Sequence, residues 1–123
     1  MSSLPHDHGP SSRHTFDHMP KHEEFLIISD IFKQMADPTR IRIFWLLCHC
    51  EECVINLSAT MEMSSPAVSH HLKLLRAHGL IVSRREGKEV YYKAADTALA
   101  RQLHTIMEST MEIACPNREV SCP

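Results

Sequence analysis

Ser64-Ser65-Pro66-Ala67-Val68-Ser69-His70-His71-Leu72-Lys73-Leu74-Leu75-Arg76-Ala77-His78-Gly79-Leu80 reads as a helix with a marked start and a marked stop. Ser64 can accept from the free amides of a first turn, Pro66 suits a position that needs no donor, and Gly79 suits a left-handed end. At helical spacing Val68, Leu72 and Leu75 share one face, while Ser69, His70, Lys73, Arg76 and Ala77 fall on the other. The helix therefore has a core side and a polar reading side. Arg84-Arg85-Glu86-Gly87-Lys88 then joins two β-prone runs, Leu80-Ile81-Val82 and Val90-Tyr91-Tyr92, which predicts a two-stranded hairpin turning at Glu86-Gly87.

Upstream, a short helix is expected from about Val54 to Met61. Before it, Asp37-Pro38-Thr39-Arg40 starts a helix that runs through Ile41, Phe44, Trp45 and Leu47. A first helix, about Glu23 to Met35, carries a broad apolar stripe at Phe25, Ile28, Phe32 and Met35, with Ile27 and Ile31 beside it. Asp96 can open a last helix whose seam is Leu99, Leu103, Ile106, Met107, Thr110 and Met111. Short helix, tight turn, capped polar helix and basic hairpin occur in the order of a winged helix-turn-helix, a mainly α fold with a small β-hairpin. In that fold the second helix enters the major groove of double-stranded DNA. Ser69, His70 and Lys73 would face the bases and Arg76 a phosphate, Ser65 at the helix start is a further DNA-binding candidate, and Arg84, Arg85 and Lys88 would reach an adjacent groove or backbone. A solvated amphipathic helix beside a charged hairpin is the plainer alternative that this pattern leaves open.

Composition narrows the class. A chain of 123 residues, 43% apolar, can bury one core but hardly two. Its formal charge of −2 argues against indiscriminate coating of nucleic acid. From Ser64 to Lys93, however, six Lys and Arg face two Glu, so the positive charge is confined to one segment. No apolar run approaches the ~20 residues that span a bilayer, and no basic-then-apolar leader is seen, so a cytoplasmic protein without membrane contact is expected. There is neither a Gly-rich phosphate loop nor a His-Glu-x-x-His, which speaks against an enzyme. Residues 1–22, rich in Pro, Ser and His, read as a flexible arm. Its His6, His8, His14, His18 and His22 are either a metal-scavenging tract or a plain polar tail. Residues 23–114 form the DNA-binding and dimerisation domain, and 115–123 a flexible tail carrying Cys115 and Cys122.

Five cysteines, an odd and uneven set, do not make a disulfide framework. Cys48-His49-Cys50-Glu51-Glu52-Cys53 instead suggests ligation. Sulfurs at i, i+2 and i+5 cannot converge on a regular helix, but they can if the helix ends near Leu47 and the chain turns. Thiolates select thiophilic metal or metalloid ions such as Cd(II), Pb(II), Zn(II) or trivalent arsenic. His49, Cys115 and Cys122 are lesser candidates to complete such a site. Cys48 can also be read as a buried filler, and Cys50-x-x-Cys53 supports a thiol-redox switch as an alternative.

Asp37-Pro38-Thr39-Arg40-Ile41, Cys53-Val54, Ser65-Pro66-Ala67-Val68-Ser69-His70-His71-Leu72-Lys73-Leu74-Leu75, Arg85-Glu86-Gly87-Lys88 and Tyr91-Tyr92 together resemble the ArsR/SmtB metalloregulatory repressors. The resemblance covers about Phe25 to Ile113. It implies a homodimer joined by the first and last helices, with Phe25, Ile28, Phe32, Leu99, Leu103, Ile106 and Met107 as interface, and repression relieved by an inducer ion. A dimer also has a physical motive, because two apolar helices exceed what one small core covers, and paired reading heads suit a palindromic operator. In the family a sensing cysteine corresponds to Cys53, but Ile55 and Asn56 replace the usual cysteine and acidic residue that follow. A second family site on the last helix keeps Asp96 and Glu112 but has Ala98 and Ser109 in place of histidines. The resemblance thus points to the Cys48–Cys53 segment.

Overall fold

The computed structural model describes residues 4–118. In chain order these form α1 (Pro10–Asp17), α2 (His22–Gln34), α3 (Pro38–His49), β1 (Glu52–Cys53), α4 (Val54–Met61), α5 (Ser65–Ala77), β2 (Ile81–Glu86), β3 (Glu89–Ala94) and α6 (Ala98–Ala114). They fall into two compact units that divide between Lys33 and Gln34, inside α2.

In the second unit, α3 starts where Asp37 accepts the Arg40 amide at 2.9 Å and Pro38 occupies the first turn. Arg40 turns inward and donates Nη1 to Gln34 Oε1 at 3.0 Å, so this start signal also ties α3 to the end of α2. The core is built from Ile43, Phe44 and Leu47 of α3, Leu57 and Met61 of α4, Val68, Leu72 and Leu75 of α5, Leu80 and Ile81, and Ala100 and Leu103 of α6. The amide of Arg40 holds the Asp37 carboxyl below its ordinary value of 3.8. A carboxyl lowered on folding stabilises above its unfolded value, and the contribution disappears as pH falls through the folded one. Asp37→Ala should therefore cost about 1 kcal/mol at pH 7 in chemical unfolding, and the difference from the parent should shrink below about pH 4.

The helix-turn-helix is closed by a sharp turn. Glu62, at φ 54°, takes the left-handed conformation that stops α4, and Ser64 then caps α5 by accepting the Ala67 amide at 3.3 Å. Ser58 Oγ and Ser65 Oγ lie 3.2 Å apart and join the two helices. Gly79, at φ 71°, ends the segment and lets Leu80 donate to Leu75 at 3.0 Å.

The wing holds more than the expected hairpin. Its sheet has three antiparallel strands in the order β1-β3-β2, with Arg84 opposite Tyr91 on one side of β3 and Glu52 and Cys53 opposite Tyr92 and Tyr91 on the other. The turn falls at Gly87-Lys88, one residue later than expected, because Glu86 still pairs with Glu89. On α6, Thr97 rather than Asp96 is the cap, accepting the Ala100 amide at 3.2 Å, while Asp96 pairs with Arg101. Leu103 leaves the expected interface seam. It lies on the Ala100 face and is buried in the chain's own core, whereas Leu99, Ile106 and Ile113, seven residues apart, form an exposed stripe.

The first unit contains α1 and most of α2. Residues 10–17 are helical where the sequence suggested a loose arm, because Pro10 stands in the first turn, where proline starts a helix rather than breaking it. No residue of α1 is buried. On α2, Phe25, Ile28 and Phe32 are exposed, at 46%, 44% and 56%. Among the described residues no helix is long and apolar enough to cross a membrane.

Candidate nucleic-acid interface and inducer site

The core residues of α5 fix its orientation. With Val68, Leu72 and Leu75 buried, Ser69, His70, Lys73 and Arg76 are exposed together, as the spacing predicted. Ser69, Lys73, Arg76 and Ala77 line one side of a concavity of about 420 Å³ whose other wall is Tyr92 of β3. The Tyr91-Tyr92 pair is part of the family resemblance, but its spacing did not show that Tyr92 of β3 faces α5 across this concavity. Ser65 stands at the start of α5 with its hydroxyl beside Ser58. Arg85 and Lys88 are exposed along the wing.

Arg84 is differently placed. Its Nε and Nη2 grip Glu51 at 2.6–2.9 Å, its Nη1 meets Glu86 at 2.7 Å, and its guanidinium covers the Tyr91 ring at 4.8 Å. The same pair holds the Glu51 carboxyl below its ordinary value and raises the guanidinium further. Glu51 lies in the middle of the cysteine segment, so a wing arginine expected on DNA is held by the loop expected to bind the ion.

The three thiols occupy three different settings. The helix continues two residues past Leu47, its expected end, because Cys50 closes the last turn of α3: its amide and its thiol both donate to the Leu46 carbonyl, at 2.9 and 3.3 Å. Cys48 is thus helical and half-buried, lining a hollow with Ala94, Ala95, Asp96, Ala100, Arg101 and His104. Cys53 is in β1 and caps α4 through its backbone conformation, with no side-chain hydrogen bond. Among the described residues one group of three ligating side chains gathers its donor atoms within 4.8 Å, and it is His49, His104 and Glu108, not the cysteines. Cys115 is exposed at the end of α6, and Cys122 lies outside the described residues.

Burial, followed by the Glu108 charge, pushes the Cys48 thiol up to about 11, and burial with Glu52 raises Cys50. Since the thiolate is the nucleophile, Cys48 should react with iodoacetamide at pH 8 about a hundredfold more slowly than a free cysteine. Peptide mass spectrometry of timed aliquots reads this; labelling at the free-thiol rate would contradict it. The sign for stability is set by the same shift. A thiol raised on folding contributes fully below the unfolded value of 9.0, and that contribution is lost as pH climbs from 9.0 through about 11.

A capped reading helix, a tight helix-turn-helix and a three-stranded basic wing define a winged helix-turn-helix of the DNA-binding regulator class. Comparison with known proteins agrees: the model of the bacterial regulatory protein, arsR family, matches residues 37–83. The transcriptional repressor SmtB homolog of Synechocystis is 36% identical over 85 residues, 69% of this chain and 64% of the relative. The cadmium resistance transcriptional regulatory protein CadC homolog of Staphylococcus aureus is 33% identical over 88 residues, 71% of this chain and 73% of that one. Among solved structures, reduced HlyU from Vibrio cholerae superposes with a TM-score of 0.63 at 29% identity, covering 76% of this chain and 94% of that one. The chain belongs to the ArsR/SmtB family of transcriptional repressors. Its match spans less than two thirds of the Synechocystis relative's length.

Proposed function

We propose that this chain is an operator-binding repressor, released from double-stranded DNA when a thiophilic ion is captured by the sulfurs of the Cys48–Cys53 segment. Cd(II), Pb(II), Zn(II) and trivalent arsenic fit that donor chemistry. The observation that carries the reading is the seam between segment and wing: Glu52 and Cys53 are hydrogen-bonded to β3 as its third strand, and Glu51 grips Arg84. Ion capture has to turn the Cys50 thiol away from the Leu46 carbonyl and draw Cys53 toward it. The Glu51–Arg84 pair and the Tyr91–Tyr92 edge then move with the loop. Each bound thiol gives up a proton, so the response weakens toward acid pH. An ion that prefers the DNA-free arrangement lowers operator affinity by the factor by which it prefers it.

Two chains are needed to read a palindrome. The exposed faces of α2 (Phe25, Ile28, Phe32) and α6 (Leu99, Ile106 and the half-buried Met107) are apolar surface suited to a second copy, and covering them gains about 25 cal/mol per Å². The family relatives are named as repressors, including one named for cadmium resistance, which supports both the action and the class of inducer.

Fluorescence anisotropy with an operator selected by the parent chain from a random pool tests this. Under reducing conditions, release by one of the four ions is the expected outcome. Release by peroxide with none by metal would replace the ion with a Cys50–Cys53 disulfide switch, and failure to select any operator would remove both.

A further inference from the structure

His49 is the last residue of α3, and His104 and Glu108 stand one turn apart on α6. Their donor atoms converge: His49 Nε2 and His104 Nε2 are 3.2 Å apart, His104 Nε2 lies 3.3 Å from Glu108 Oε1, and His49 Nε2 lies 3.5 Å from the same oxygen. A tetrahedral ion held at about 2.0–2.1 Å by imidazole and carboxylate keeps its ligands about 3.3–3.4 Å from one another. The three atoms therefore already outline one face of that tetrahedron. Only one proton can lie between the two imidazole nitrogens, so one of the two faces the other with a lone pair available for an ion.

The surrounding groups hold the face in place. Trp45 donates its indole N–H to Glu108 Oε1 at 2.7 Å, and its ring lies 4.2 Å from that of His49. The His49 and His104 rings meet edge to face at 4.9 Å, and Arg118 engages the other Glu108 oxygen at 3.6 Å. A donor that orients a ligating carboxylate is the usual outer layer of a metal site. The side chains of His49, His104 and Glu108 are 30%, 30% and 32% exposed, which leaves an entrance and room for a fourth ligand.

We propose that His49, His104 and Glu108 form a second metal site, selective for borderline divalent cations such as Zn(II) or Co(II). Two imidazoles and a carboxylate suit these ions, whereas trivalent arsenic and Pb(II) favour sulfur. The site uses none of the three thiols, although His49 stands between Cys48 and Cys50, and it uses none of the positions Asp96, Ala98, Ser109 and Glu112. An ion bound here fastens the end of α3 to α6 within the thiol segment, between Cys48 and Cys50.

Trp45 is the only tryptophan in the chain and touches two of the three ligands, so its fluorescence reports this site. Co(II) titrated into the full-length protein without DNA should quench Trp45 saturably, and Zn(II) should compete and restore the signal. In Glu108→Gln, which keeps an oxygen acceptor for the indole, and in His104→Gln the midpoint should rise at least about tenfold, with helicity by circular dichroism unchanged. Quenching at the parent midpoint in both variants, or no saturable quenching in the parent, would reduce the cluster to a hydrogen-bonded triad. The readout involves no operator, and the two variants leave Cys48, Cys50 and Cys53 in place, so its failure would leave the proposed repressor function standing, and failure of that function would leave this site standing.

Discussion

Exchanging Lys73 and Arg76 together for Ala should weaken operator binding about a hundredfold. Both side chains project from the exposed face of α5 into the concavity closed by Tyr92, while the buried face that orients the helix is untouched. A base-reading contact is worth about 1–3 kcal/mol and a phosphate contact somewhat less, so about 3 kcal/mol for the pair is a moderate sum. The two roles separate experimentally. Losing Arg76 alone should weaken binding to all sequences and flatten the salt dependence by about one phosphate, whereas losing Lys73 alone should relax preference at one operator position. Anisotropy titrations at several salt concentrations, on operator and scrambled duplex, read both. Equal affinities for the parent and double variant would move the reading surface elsewhere.

Replacing Cys53 by Ser should abolish ion-triggered release. Cys53 is the one thiol in the strand that pairs with β3, so a sulfur–ion bond there pulls directly on the wing. Allosteric coupling of this kind is typically 1–3 kcal/mol, or 5–150-fold in affinity. The ratio of operator affinities with and without Cd(II) should fall from that range to near one. Cys50→Ser should act in the same direction. Cys48→Ser should have the smallest effect, because Cys48 sits in the hollow against α6 with its thiol held protonated by burial. A full response in the Cys53 variant would place capture elsewhere in the chain.

Much of the fold was legible because its signals are local. Ser64, Asp37 and Gly79 act within one helical turn of themselves, and the two faces of α5 follow from spacing alone. What sequence did not reveal depends on distant partners. Strand β1 is two residues long and has no period of its own; it exists because β3, nearly forty residues later, offers a free edge. The grip of Glu51 on Arg84 crosses 33 positions, and the approach of His49 to His104 crosses 55. The spacing of the α6 seam could not say which residues turn inward, and Leu103 did. Residues 10–17 read as part of a flexible arm because the start of α1 carries no side-chain cap to announce it.

The central claim is that ion capture at the cysteine segment and operator binding by α5 and the wing oppose each other, and linkage requires the opposition to be reciprocal. Its most direct test is the affinity of the full-length protein for Cd(II), measured by chelator competition with and without saturating operator at fixed salt. The account predicts that operator weakens Cd(II) binding by the same factor, at least about fivefold, by which Cd(II) weakens operator binding. Equal Cd(II) affinities in the two states would contradict it.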